Sequence, residues 1–222
     1  RFLLQLIMYT IGVRAYALLL TIAQLFVPKA KAWVSGRENW REKLPDVSGK
    51  NVYWFHCASL GEFDQGIPVM NYLREHLPDA YIVTTFFSPS GMEHYHKRNH
   101  PCDFVCYLPI DTPKNASHFV THFKPKVSLF VKYEFWKNHI NAAKKQGSQI
   151  YSISTLFRPN QHFFKPIIGK ISRGVLFDFD HFFVQNDITL KLLNSIGITK
   201  ATLTGDTRFD RVLENKKQLQ PN

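Results

Sequence analysis

A few short stretches hold the side chains most able to do chemistry. In "HCASLGEFDQG" (56–66) an apolar run gives way to Ser59, Leu60 and Gly61, and then at once to Glu62. A glycine at such a corner marks a tight turn or a close backbone approach. The acid behind it either complements the dipole of a following helix or is an active-site carboxylate held at a strand-to-helix junction. Polar groups of the same kind recur as Ser88 and Ser90 in "TTFFSPSG", Glu134 in "VKYEFWKN" and Arg208 in "TGDTRFD". Hydroxyls, carboxylates and a cation gathered on one rim would make a binding and reaction site. Other chemistries fit poorly. Ser59 stands in no Gly-x-Ser-x-Gly elbow, and no Gly-Lys-Ser/Thr phosphate loop is present. The histidines and cysteines of "HYHKRNHPCDFVC" match no zinc spacing, so no metal is expected.

These residues need elements to hold them. From residue 51 onward, apolar runs alternate with helical patterns. "NVYWFHCAS" reads as a buried strand, and 63–77 as a helix with Ile67, Met70, Leu73 and Leu77 on one face. "AYIVTTFF", "DFVCYLP", "KVSLFVKY", "QIYSIST", "HFFVQN" and "ATLTGD" read as further strands. The helical patterns between them are "SPSGMEHYHKR" (capped by Ser88 or Ser90), "TPKNASHFVTHFKP", "FWKNHINAAKKQG", 162–177 and "DITLKLLNSIG". Seven strands each trailed by a helix predict an α/β fold, a Rossmann-like, mostly parallel sheet with flanking helices. In such sheets ligands gather beyond the carboxyl ends of the strands. Glu62, Ser88, Ser90, Glu134 and Arg208 all fall at those ends.

Composition narrows the partners. At 45% hydrophobic and 20% charged, the chain is globular rather than disordered. A net charge of +11 favours acidic partners. The basic residues are dispersed and no nucleic-acid-binding signature occurs, so an anionic membrane surface or a phosphorylated substrate is expected and nucleic acid is not. Three cysteines are too few for a disulfide framework and point to a reducing compartment.

The stretch 1–33 is the most apolar. Its uncharged runs, 2–13 and 15–27, are split by Arg14, and each falls short of the roughly 18 residues of a membrane span. Lys29, Lys31, Arg37, Arg41 and Lys43 follow. An apolar helix with a cationic flank predicts a monotopic anchor at an anionic surface, with a core helix as the alternative. The expected organisation is an anchoring helix over 1–33, a basic linker over 34–50 and a Rossmann-like domain over 51–210. A further linker would begin at 211–222. The chain opens on Arg1 rather than Met, as a piece of a longer protein would.

"WFHCASLGEF", "TTFFSPSG", "YLPIDTP", "FKPKVSLFVKYEFWKN" and "TGDTRFD", with "GRENWREKL" before them, together resemble the 3-deoxy-D-manno-octulosonic acid (Kdo) transferases of lipopolysaccharide synthesis. The resemblance implies a GT-B glycosyltransferase of two Rossmann-like domains, needing no metal or cofactor. CMP-Kdo would be the donor and a lipid A precursor the acceptor, at the cytoplasmic face of the inner membrane. This chain would be the N-terminal, acceptor-binding half. Glu62 would be the general base and Glu134 a transition-state stabiliser. Arg208 would share that second role, where the family usually has lysine. Ser59, Gly61, Ser88, Ser90 and Arg158 would contact the acceptor, Arg158 replacing a phosphate contact of the family's arginine-rich segment. The family's acidic-Thr-Glu-Leu-Trp-Pro-Asn stretch is here Lys132-Tyr133-Glu134-Phe135-Trp136-Lys137-Asn138, keeping Glu134, Trp136 and Asn138. A GT-B enzyme with another nucleotide-sugar donor, and a non-catalytic membrane-associated binding domain, are the alternatives.

Overall fold

Strands rich in valine, isoleucine and aromatic residues, buried on both faces, form a sheet only where helices cover both sides. The computed structural model, which describes residues 2–166, 169 and 172–207, has that architecture. Seven strands are present: β1 (Asn51–Cys57), β2 (Ala80–Phe86), β3 (Phe104–Tyr107), β4 (Val127–Val131), β5 (Gln149–Thr155), β6 (His181–Val184) and β7 (Ala201–Leu203). All neighbours pair in parallel, in the order β3-β2-β1-β4-β5-β6-β7. The order reverses between β1 and β4. That switch point leaves a crevice at the carboxyl ends of those two strands.

The helices are α1 (Phe2–Ala23), α2 (Pro28–Ser35), α3 (Leu60–His76), α4 (Pro89–His94), α5 (Pro113–Phe123), α6 (Lys137–Lys145) and α7 (Asp187–Ser195). Side-chain alternation along β1 feeds two cores. Trp54 packs with Phe119, Phe123, Phe130 and Ile140 under α5 and α6. Phe55 and Cys57 pack with Phe63, Ile67, Met70 and Phe86 under α3.

Some expectations are corrected. Helix α3 begins at Leu60 rather than 63, and Leu77, past its end, is exposed rather than on the buried face. The helical pattern 162–177 is not one continuous α-helix: among its described residues Gly169 and Ser172 are helical, while His162–Phe164 and Arg173–Asp178 are 3₁₀ turns. Pro166 accounts for the break, since Lys165 before it is extended (φ −76°, ψ 145°). The stretch 1–33 holds α1 and most of α2, separated at Val27, where Pro28 starts the second helix.

Helix α1 carries Arg14 without interruption and turns one stripe inward, with Thr10 and Ala17 buried. Its other face is also apolar, exposing Ile7, Met8, Ile11, Leu18, Leu19 and Ile22. Within the basic stretch, Arg37 is not available to a headgroup. It is buried, its guanidinium donating to the carbonyls of Trp33 (3.0 Å), Phe87 (2.8 Å) and Leu108 (2.8 Å). Burial lowers its pKa to about 9. Lys29, Lys31, Arg41 and Lys43 remain exposed.

Candidate active site

At the end of β1, Ser59 is extended (φ −141°, ψ 170°) and the chain turns into α3, placing Glu62 in the first helical turn. Its side chain folds back so that Oε2 accepts the Ala58 N–H. Only 7% of Glu62 is exposed. Helix-end amides favour the charged form, yet the balance goes the other way. Burial first, and the Glu134 charge second, push the Glu62 carboxyl up to about 8, against the Ala58 and Ser59 amides and Lys132. Burial therefore outweighs the helix start at Glu62.

The second carboxylate comes from β4. Lys132 takes a left-handed conformation (φ 63°), its N–H donating to Ile153 (2.9 Å), and turns the chain out of the sheet. Glu134 Oε2 then accepts the Trp136 indole N–H at 2.7 Å and faces His56 Nε2 at 3.2 Å. His56 is fully buried, and burial depresses its pKa. Its tautomer follows from its neighbours. Nε2 must carry the proton to meet a carboxylate, leaving Nδ1 to accept from the Thr85 hydroxyl at 2.8 Å. Thr85 Oγ1 in turn accepts the Trp54 indole N–H at 2.9 Å. A neutral, fully partnered chain of side chains thus orients Glu134 from inside the sheet.

A third acid, Asp111, organises the surroundings. It is 1% exposed in the loop between β3 and α5, and its carboxylate meets the first amides of α6. Its carboxylate accepts from Tyr9 Oη (2.7 Å), the Asn138 and His139 amides (3.2 and 2.9 Å) and His139 Nδ1 (2.6 Å). Burial pushes this carboxyl up, but the His139 hydrogen bond and charge and the remaining donors outweigh it and lower its pKa. Asn138 Nδ2 bonds the Asp111 carbonyl (2.6 Å) and Thr10 Oγ1 (3.3 Å). Asp111 and Asn138 therefore dock α1 beside the Glu134 loop.

The other expected residues are distributed as follows. The Ser88 amide donates to the Ala58 carbonyl (2.8 Å), tying the β2–α4 corner to the β1–α3 corner, and Ser88 and Ser90 share a 2.8 Å hydrogen bond. Neither hydroxyl caps α4, although Ser88 occupies the cap position. Gly61 is exposed, and a β-carbon there would meet nothing within 4 Å, so the approach to α3 is open. Arg158 is exposed beyond β5, its amide held by Gln161 (3.0 Å), and no contact joins it to the two glutamates. Arg208 lies outside the described residues; its neighbour Thr207 donates to the Gln65 carbonyl in α3 (2.7 Å). The histidines and cysteines of 94–106 form no ligand cluster among the described residues. His56, Thr85 and Asp111 were not singled out from sequence. His56 and Thr85 read as strand interior, and Asp111 stood unassigned in "YLPIDTP".

Residues 38–211 match the family model for 3-deoxy-D-manno-octulosonic-acid transferases. Among relatives of that name, the protein from Aquifex aeolicus is 36% identical over 101 residues, 45% of this chain and 27% of that one. Those from Rickettsia bellii and Chlamydophila psittaci are 23% and 26% identical over 76% and 79% of this chain. The chain spans 27%, 40% and 42% of the lengths of these three relatives. In fold it resembles UDP-GlcNAc 2-epimerase from Neisseria meningitidis, with a TM-score of 0.53 and 18% identity over 77% of this chain and 50% of that one. A UDP-N-acetylglucosamine 2-epimerase homologue from Listeria monocytogenes gives 0.56 and 12% over 74% and 47%.

Proposed function

The chain belongs to the 3-deoxy-D-manno-octulosonic-acid transferase family, and from that premise we propose that it is the acceptor-binding half of a glycosyltransferase. The complete enzyme moves Kdo from CMP-Kdo to a glucosamine hydroxyl of a lipid A precursor at the cytoplasmic face of the inner membrane. Glu62 takes the hydroxyl proton as that oxygen bonds to the anomeric carbon of Kdo. The bond from this carbon to phosphate breaks, and CMP leaves with the electron pair. Glu134, steadied by Trp136 and His56, stabilises the positive charge that builds on the sugar in such transition states. Arg208 acts on the departing phosphate. Ser59, Gly61, Ser88, Ser90 and Arg158 receive the acceptor.

One observation carries this reading. Two carboxylates reach the switch-point crevice from the neighbouring strands β1 and β4, and Glu62 is tuned to about 8. A general base is most effective with a pKa near the working pH. Membrane association is supported by the outward apolar face of α1 and by the exposed Lys29, Lys31, Arg41 and Lys43. The segment Leu6–Ala23, with mean hydropathy 1.7, is long and apolar enough to cross a bilayer. Its contacts with the domain through Tyr9 and Thr10 support a monotopic anchor over a span.

The test is Kdo transfer from CMP-Kdo to a lipid A precursor by the complete protein and its Glu62→Gln form. We expect transfer by the first and a loss of at least ~100-fold in the second, at the low end of acid–base catalysis. An unaffected variant would remove Glu62 from the reaction. Transfer from a UDP-sugar instead would overturn the donor.

A further inference from the structure

A cavity of about 360 Å³ lies between α1 and the body of the domain. Gly12, Val13 and Tyr16 wall it on the helix side, with Trp33, Phe87 and Trp136 opposite. Of the polar groups in its walls, Tyr9 and Asp111 are hydrogen-bonded to each other and the Trp136 indole donates to Glu134, while the buried Trp33 indole N–H has no partner among the described residues. Its aromatic rings make a continuous lining: Tyr16 stacks on Phe87 at 6.3 Å and Phe87 on Trp136 at 4.6 Å, while Trp33 meets Phe87 edge-on at 5.8 Å. Arg37 fixes the far wall, its guanidinium 3.9 Å from the Trp33 ring centre while its N–H groups hold the carbonyls of Trp33 and Phe87. A slot held in this way is formed before any ligand arrives, which lowers the cost of binding.

Position matters as much as shape. At one end Trp136 donates to Glu134, so the slot abuts the carboxylate pair. At the other, Gly12 and Tyr16 are exposed and sit beside the outward apolar residues Met8, Ile11 and Leu19. Gly12 itself needs a reason, since glycine within a helix costs about 1 kcal/mol relative to alanine. A β-carbon at Gly12 would meet nothing within 4 Å, so packing does not demand its absence. What glycine preserves there is an open mouth.

We propose that this slot receives one acyl chain of the lipid acceptor, passing from the bilayer beside Gly12 while the headgroup lies at Glu62 and Glu134. The inference rests on the lipid-acceptor reading above. Among the described residues no cation lines the slot, so a phosphate or nucleotide would face the Asp111 carboxylate uncompensated. At about 30 Å³ for each water-sized group, it holds on the order of ten such groups, suited to one medium-length chain.

Two measurements on the complete protein test it. The first is quenching of tryptophan fluorescence by an ω-brominated medium-chain fatty acid below its micellar concentration, since Trp33 and Trp136 line the slot. Wild type should be quenched, Gly12→Leu should bind at least roughly tenfold more weakly, the equivalent of two buried methylenes, and Gly12→Ala should lie between. The second compares transfer to acylated and fully deacylated acceptors. Gly12→Leu should raise KM for the acylated acceptor by a similar factor and leave the deacylated one unchanged. Quenching that ignores Gly12→Leu, or an equal loss on both acceptors, overturns the slot. Self-association of the lipid-free wild type that Gly12→Leu abolishes would give the slot to a second copy, and also overturns it. Absence of transfer by wild type to either acceptor counts against the transferase reading, while the quenching result still decides the slot.

Discussion

Glu62 is held largely protonated near neutral pH because burial, and then the Glu134 charge, both disfavour a further negative charge there. For the proposed base, transfer measured as kcat/KM should rise with pH and level off above about 8, rather than near the ordinary carboxylate value. The same shift has a stability consequence of definite sign. A carboxyl raised from 4.5 to about 8 on folding gives stability that is fully present below 4.5 and lost as pH rises through about 8. Glu62→Gln should therefore unfold at a higher temperature than wild type at about pH 9, and thermal melts across pH would read this directly. His56 acts in the opposite sense: its depressed pKa gives stability that is present above 6.5 and lost as pH falls below it. Gly61 separates function from folding in another way. Since a β-carbon there meets nothing, Gly61→Ala should raise stability by up to about 1 kcal/mol while weakening acceptor binding. Unchanged transfer kinetics in that variant would remove Gly61 from the acceptor surface.

At the scale of elements, Asp111 is the fastener, joining α1 to α6 and the Glu134 loop. Asp111→Ala leaves buried donors of Tyr9, Asn138 and His139 without their acceptor and should cost at least about 3 kcal/mol, as measured by urea unfolding. Tyr9→Phe removes one hydrogen bond to a charged group, about 1.5–3 kcal/mol, and should speed amide exchange in α1. Much at this scale was legible in the sequence, because strands buried on both faces show as unbroken apolar runs; "QIYSIST" matches β5 to the residue. The break at Pro166 was legible too but was overridden by the apolar spacing around it. The polar interior could not be read. His56, Thr85 and Asp111 act through partners 78, 29 and 102 residues away, and no local pattern reports a contact at such separations. The strand order, which brings Glu62 and Glu134 into one crevice, was likewise beyond the reach of periodicity.

For the whole molecule, the proposed membrane association would draw on both the net charge of +11 and the outward apolar face of α1. Each basic residue near an anionic bilayer contributes about 1 kcal/mol, and the attraction fades as the screening length falls from about 10 Å at 0.1 M salt to about 3 Å at 1 M. Binding to anionic vesicles should thus weaken with salt, and removal of residues 1–33 should abolish most of it. Binding and salt sensitivity that survive the deletion would place the membrane surface elsewhere. The contact between Tyr9 and Asp111 also has a meaning in time. The two residues are 102 positions apart, and at roughly 5–20 residues per second of synthesis the helix emerges on the order of ten seconds before its docking partner exists. During that interval both faces of α1 are bare. On the proposed anchoring, a nascent chain would meet the bilayer first, and the rest of the domain would then fold onto a helix already lying there.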